Sequence, residues 1–484
     1  MSQANSYIVK SDAKVIRSTF WRYSLPAIAA MLVNGLYQVV DGIFIGKVIG
    51  YEGLAAINMA WPIIFFLVGF GIMVGIGAGS LLSIHQGQTE KQENTQTTSS
   101  TSRNFSAQLL VTSLYVMLVL GLISSIVLGL FGQSMLALQS GTAQGIELAK
   151  GYLYWFSLGG VVSILASALP LLIRNDNSPL LATGLMGFGA LLNILLDYIF
   201  ISQFQLGLEG AALATLSAQF LVCLLGISYF FSQYSSLPFK SPKDLEETTC
   251  PKRIKPLSNF DLTLAKKLVI LGASSLIIYL YTSVMVGLHN ALFMQYGDAL
   301  TVGAYAIVGY LMVLYYFVAE GIADGSQPPV SYYFGAKRVA DIKAMVVLSI
   351  KVTLIAGLSW SILLNLFPTE LIKLFNHEDE ALIQTTIQGI QLHLFALALD
   401  GFIMLASIYF TSVNQAGKAL FIALGNMFIQ LPFLFFLPKI MGLEGVWLAM
   451  PVSNVVLFII VAPMLYLDIR AKQASSQNAL IFEK

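Results

Sequence analysis

The sequence predicts an all-α polytopic membrane protein: twelve transmembrane helices in two pseudo-symmetric six-helix bundles. Three observations carry this. The 484 residues are 57% hydrophobic and only 11% charged, where a soluble protein of this length carries about 25% charged residues. Apolar runs of spanning length recur along the whole chain, and mean hydropathy is +0.77. One long polar segment, "KSPKDLEETTCPKRIKPLSNFDLTLAKK" (240–267), cuts the chain near its middle, and short motifs repeat on either side of it.

A spanning helix needs about 20 mostly apolar residues. The runs that qualify lie near 19–44, 53–82, 106–131, 149–173, 179–202, 207–232, 265–294, 301–327, 342–367, 383–411, 417–438 and 443–468. Several contain a proline, such as Pro26, Pro62 and Pro170; membrane helices tolerate these when neighbours satisfy the freed backbone groups. The polar N-terminal stretch lacks the compact pattern of a signal peptide, so the first run is read as retained. With the N-terminus inside, roughly 21 of the 26 basic residues fall on the inner side against about four outside. Both termini are therefore expected to be cytoplasmic. The lack of a transit peptide points to a bacterial inner (plasma) membrane.

The halves are repeats. "LGLEGAALA" (206–214) matches "MGLEGVWLA" (441–449), and "GIGAGS" (75–80) matches "GIADGS" (321–326). These pairs fall on helices 6 and 12 and on helices 2 and 8. Six is an even number, so both halves enter the membrane the same way, and the two bundles are related by an axis along the membrane normal. Such repeats are typical of secondary transporters, which alternate access between bundles. The expected division is 1–235 for helices 1–6, 236–264 for a cytoplasmic linker, and 265–484 for helices 7–12.

Ionisable residues at membrane depth are costly, by about 2.5 kcal/mol or more each, and mark function by default. Five acids qualify: Asp41, Asp197, Glu320, Asp324 and Asp400. In "NGLYQVVDGIFIG", Asn34, Tyr37 and Asp41 share a helix face at i, i+3, i+7. In "LLNILLDYIFI", Asn193 and Asp197 share one at i, i+4. Two carboxylates, an amide and a phenol suit a cation. Carboxylate and carbonyl oxygens bind hard ions such as Na⁺, and two neighbouring carboxylates in low dielectric can instead share a proton. The competing reading is a set of independent buried polar groups, each satisfied by backbone or water. On helix 10, His393 and Asp400 are seven apart and could pair; Glu320 and Asp324 stand i, i+4 near the end of helix 8. The second half does not repeat the first half's acids. His289 lies near where Asp41 would map, and Pro432 where Asp197 would.

At these residues the chain resembles the multidrug and toxic compound extrusion (MATE) transporters. The resemblance is carried by "LPAIAAMLVNGLYQVVDGIFIG" (25–46), "LLNILLDYIFI" (191–201), "GLEGAALAT" (207–215), "GSQPPVSYYFGAK" (325–337) and "GLEGVWLAM" (442–450). It implies two pseudo-symmetric lobes and export of small organic, often cationic, substrates by antiport against entering Na⁺ or H⁺. It also implies a cation-coupling site at Asp41, Asn193, Asp197 and Thr215, with Tyr37 nearby, and Na⁺ as the metal if the ion is a metal. Some members use a helix 7 acid and a helix 10 acid; here helix 7 lacks one, while Asp400 is a candidate for the other.

The partners expected are small molecules and the bilayer, with the chain as a monomer, and no cofactor beyond the coupling ion. Nucleic acid is not expected, since no basic stripe interleaves with aromatics. Cys223 and Cys250 are too few for a disulfide framework. No metal-ligand motif, nucleophile elbow or phosphate-binding glycine loop suggests an enzyme. Two rivals stand. A flippase for a lipid-linked saccharide would need basic side chains inside the spans, where only Lys351 and Arg174 qualify. A channel would need a selectivity-filter loop, and none is visible.

Overall fold

The computed structural model describes residues 12–49, 51–90, 99–137, 143–232, 235, 260–373, 375 and 379–482. Most of the linker expected at 236–264 lies outside them. Within them every regular element is helical. Eleven helices are long and apolar enough to cross a membrane, and a bent pair makes up to twelve.

The N-terminal half contributes α1 (Ala13–Val48), α2 (Tyr51–Glu90), α3 (Ser99–Ala137), α4 (Ala143–Asn175), α5 (Pro179–Asp197) and α6 (Gly207–Phe230). The C-terminal half contributes α7 (Leu262–Tyr296), α8 (Ala299–Gly335), α9 (Val339–Leu366), the short α10 (Pro368–Ile372), α11 (Glu380–His393), α12 (Leu397–Ser412), α13 (Ala416–Met441) and α14 (Leu443–Phe482). Side chains such as Leu130, Leu180, Leu191 and Ile440 are large, apolar and exposed along these spans, as lipid contact requires.

Two expected helices differ from a straight span. The run at 383–411 is bent by 48° between α11 and α12. No proline or glycine marks the break. The chain there turns through short-range bonds, Leu397 N–H to Leu394 O at 3.2 Å and Leu399 N–H to Ala396 O at 2.9 Å. Ser361 Oγ also donates to Leu394 O at 3.4 Å, so α9 adds a second contact to a carbonyl at the bend. The second departure follows Asp197, where Tyr198–Gln203 forms a π-helical turn. Such turns cluster at functional sites.

The helices gather into two compact units. One holds residues 29–85 and 92–284; the other holds 1–28, 86–91 and 285–484. The divide thus cuts α1, α2 and α7, and the first part of each of α1 and α7 packs with the opposite half of the sequence. Glycines make these approaches possible. In the first unit, a Cβ on Gly77 of α2 would collide with Leu268 O of α7, and one on Gly272 of α7 would collide with Met73 O. In the second, Cβ atoms on Gly321 and Gly325 of α8 would each lie 2.5 Å from a Cα of α1, at Ile28 and Ser24. The repeated GIGAGS and GIADGS motifs therefore mark backbone-to-backbone crossings, the usual role of small residues between membrane helices.

The repeat is written in the backbone too. Asn177 before α5 and Asn414 before α13 both take positive φ, 62° and 58°; Gly207 and Gly442, opening the two GLEG motifs, take 60° and 61°.

Candidate cation-binding site

The first unit builds a polar cluster in an apolar core. Asp41 on α1 is 3% exposed, Asn193 on α5 is 3% exposed, and Asp197, the last residue of α5, is 0% exposed. α4 and α6 form the opposite wall. They are stitched by Trp155 Nε1 donating to Glu209 Oε2 at 3.1 Å, Ser163 Oγ donating to Gln219 Oε1 at 2.8 Å and Cys223 Sγ donating to Val162 O at 3.3 Å. This frame presents Thr215 to α5, where Asn193 Nδ2 donates to Thr215 Oγ1 at 3.2 Å.

The two acids interact electrostatically. The buried phenol of Tyr152, on α4, feels Asp41, Tyr37 and Asp197 together, which puts all four groups in one neighbourhood. Nothing in the sequence singles out Tyr152. It lies in "GYLYWFSLGG" among other aromatics, and only its position against α1 and α5 distinguishes it. Asn34 is half-buried on α1, and among the described residues no hydrogen bond links it to the cluster.

Both carboxylate oxygens of Asp197, Oδ1 of Asp41 and Oδ1 of Asn193 are buried without a hydrogen-bond donor. Buried polar atoms nearly always find partners, and an orphaned buried carboxylate is among the costliest groups in a protein. Several acceptor-only oxygens in one place, with no basic side chain bonded to them, fit a hard cation or a proton. The donor set is oxygen throughout, which suits Na⁺ better than a thiophilic or imidazole-seeking metal. Among the described residues no group of three or more His, Cys, Asp or Glu side chains forms a conventional metal centre.

The second unit treats its acids differently. Asp400 on α12 accepts from Tyr316 Oη at 2.8 Å and from Asn454 Nδ2 at 2.8 Å, so both its oxygens are engaged. His393 does not pair with it. The bend after α11 separates them, and His393 Nδ1 instead meets Trp447 O at 2.7 Å. Glu320 is half-buried and Asp324 buried on α8; neither is free.

Comparison with known proteins agrees with this architecture. The MatE family model matches residues 26–199 and 272–436. The chain is 24% identical over 430 residues to the multidrug export protein MepA of Staphylococcus aureus (strain NCTC 8325 / PS 47), covering 88% of each. It is 22% identical over 429 residues to MepA of Staphylococcus haemolyticus (strain JCSC1435), covering 88% of this chain and 87% of that one. Its fold is that of a solved outward-facing multidrug resistance MATE family transporter of the MOP superfamily, with TM-score 0.81, 21% identity, and 96% and 99% of the two chains covered. A MOP superfamily transporter from Pyrococcus furiosus Vc1 (DSM3638), described as having a binding pocket of reverse polarity that suggests a different function, shares the fold equally, with TM-score 0.81, 22% identity, and the same coverage.

Proposed function

Because the chain belongs to the MatE family of membrane transporters, we propose that it exports small organic, often cationic, compounds by antiport against Na⁺ or H⁺, with the cation held at Asp41, Asn193, Asp197 and Thr215. The observation that supports this most is the set of donor-less oxygens on Asp41, Asn193 and Asp197, gathered at one buried place. Tyr37 and Tyr152 share the neighbourhood of the two acids.

The mechanism follows from linkage. A cation arriving from outside neutralises the acids and lets α1, α4, α5 and α6 close around them. The π-helical turn after Asp197 is the part of α5 that can rewind as the cluster tightens. Transport requires the outward and inward states to differ in cation affinity, since a ligand shifts an equilibrium only by its differential binding. In this reading the termini are cytoplasmic and the chain works as a monomer in a bacterial plasma membrane.

The flippase reading is weaker. Of its two basic candidates, Lys351 is exposed on α9 and Arg174 is buried in the last turn of α4, so they lie in different environments and in different halves of the chain. The deciding experiment uses purified protein in liposomes loaded with ethidium. A Na⁺ gradient and a pH gradient are imposed separately, for wild type and Asp197→Asn. Efflux driven by one gradient and lost in the variant supports the proposal and names the ion. Full efflux in the variant, or none under either gradient with folded protein, overturns it.

A further inference from the structure

Two histidines of the second unit lie outside the coupling cluster. His289 stands on the last turns of α7, and His393 ends α11 at its bend into α12. Both are buried, at 1% and 2% exposure. His289 Nδ1 meets Met285 O at 2.9 Å, and His393 Nδ1 meets Trp447 O at 2.7 Å. A carbonyl oxygen only accepts, so in each ring Nδ1 carries the proton and Nε2 keeps a lone pair. Both Nε2 atoms are buried without a hydrogen-bond partner. A backbone carbonyl on the far nitrogen is the arrangement by which proteins orient an imidazole toward a metal.

The ring spacing narrows what could lie between them. The centroids are 5.7 Å apart, with the planes at 81°. An imidazole nitrogen sits about 1.15 Å from its ring centre, so a direct N–H···N bond of about 2.9 Å spans at most about 5.2 Å. One ion with metal–nitrogen bonds of about 2.0 Å spans up to about 6.3 Å between ring centres, so rings 5.7 Å apart lie within its reach. The spacing fits a single bridging atom and exceeds a direct bond.

The surroundings select the ion. The titratable groups facing the pair are the two rings themselves and the phenol of Tyr305 on α8, stacked on His289 at 5.4 Å and edge-on to His393 at 5.7 Å. Phe293 of α7 and Trp447 of α14 close the walls. Among the described residues no third His, Cys, Asp or Glu joins them, which disfavours a four-ligand zinc site. With no carboxylate to offset charge, a monovalent ion costs less to bury than a divalent one. Imidazole suits copper, and aromatic faces attract cations. We propose that His289 Nε2 and His393 Nε2 bind one soft monovalent cation, Cu⁺ or Ag⁺, bridging α7 and α11 at the bend. No residue of the Asp41–Asp197 cluster takes part in it.

The test uses the full chain in lipid nanodiscs with Cys223→Ser and Cys250→Ser, so that thiols do not compete. Anaerobic Cu⁺ is titrated against a chromophoric Cu⁺ chelator, and the bound ion is examined by X-ray absorption. The expected result is one tightly held equivalent with imidazole nitrogen neighbours, and affinity at least tenfold lower in His289→Gln and in His393→Gln. Coordination by methionine sulfur alone, no tight equivalent, or unchanged affinity in both variants overturns the proposal. The absorption spectrum is also taken with His85→Gln and His377→Gln, which leaves His289 and His393 as the sole imidazole donors; it needs neither variant of the pair, so it decides the matter even where one of those misfolds.

Discussion

Asp197→Asn should make the protein more stable and less functional at once. The carboxylate is fully buried and neither oxygen has a donor. Leaving a buried polar group unsatisfied costs about 1–3 kcal/mol, and more when it is charged. Asparagine has nearly the same shape and carries no charge, so in cation-free buffer the variant should gain about 1–3 kcal/mol over wild type. The coupling cation should close that gap from the other side. At one hundred times its dissociation constant, a ligand that binds only the folded state stabilises it by about 2.7 kcal/mol. Wild type should therefore rise to meet or pass the variant as cation is added, while the variant stays flat. The assay is thermal unfolding in detergent, with Na⁺ titrated into a choline buffer at fixed pH and then pH lowered without Na⁺. A variant less stable than wild type without cation, or equal cation stabilisation of both proteins, would refute the reasoning.

Other expectations rest on separate parts of the structure. Tyr152→Phe removes only the phenol oxygen that feels Asp41, Tyr37 and Asp197. It should change apparent cation affinity by roughly 2–12-fold, from about 0.5–1.5 kcal/mol for one such interaction, with the melting curve preserved; unchanged cation dependence of efflux would remove Tyr152 from the site. Gly272→Val would drive a side chain into Met73 O, separating α2 from α7 at about 3 kcal/mol or more. Gly184→Ala, which meets nothing within 4 Å, is the matched control in size-exclusion profiles. Asp468 accepts from Tyr409, Gln415 and Lys418, each at 2.8 Å, and from Lys472. Asp468→Asn should cost about 1–3 kcal/mol by leaving these donors short. Lys418→Met should cost at most about 1 kcal/mol, because the Lys418 side chain is 42% exposed. Equal losses in the two variants, read by thermal unfolding, would contradict that ranking.

Much of the fold was legible along the chain because the bilayer imposes a local rule: every spanning segment must be long, apolar and self-satisfied in its backbone. Composition and run length answer to that rule without reference to neighbours, so the number of spans and the internal repeat could be read directly. Asp41, Asn193 and Asp197 could be picked out for the same reason, since a polar side chain in such a run announces its own cost. Other features depend on what a residue meets across space. Tyr152 is one aromatic among many until α4 is laid against α1 and α5. The glycines of GIGAGS and GIADGS mark a repeat in the sequence, but only packing shows that they let α1 and α7 cross into the opposite unit. The bend after His393 has no proline or glycine to signal it; the chain turns there through short-range backbone bonds, with a contact from Ser361 of another helix. His393 and Asp400 share a face only on an unbroken helix, and with the bend each finds other partners. Hydropathy, charge and period are properties of a segment and lie open in the sequence. Which unpaired atoms end up side by side is a property of packing, and tertiary structure alone decided it.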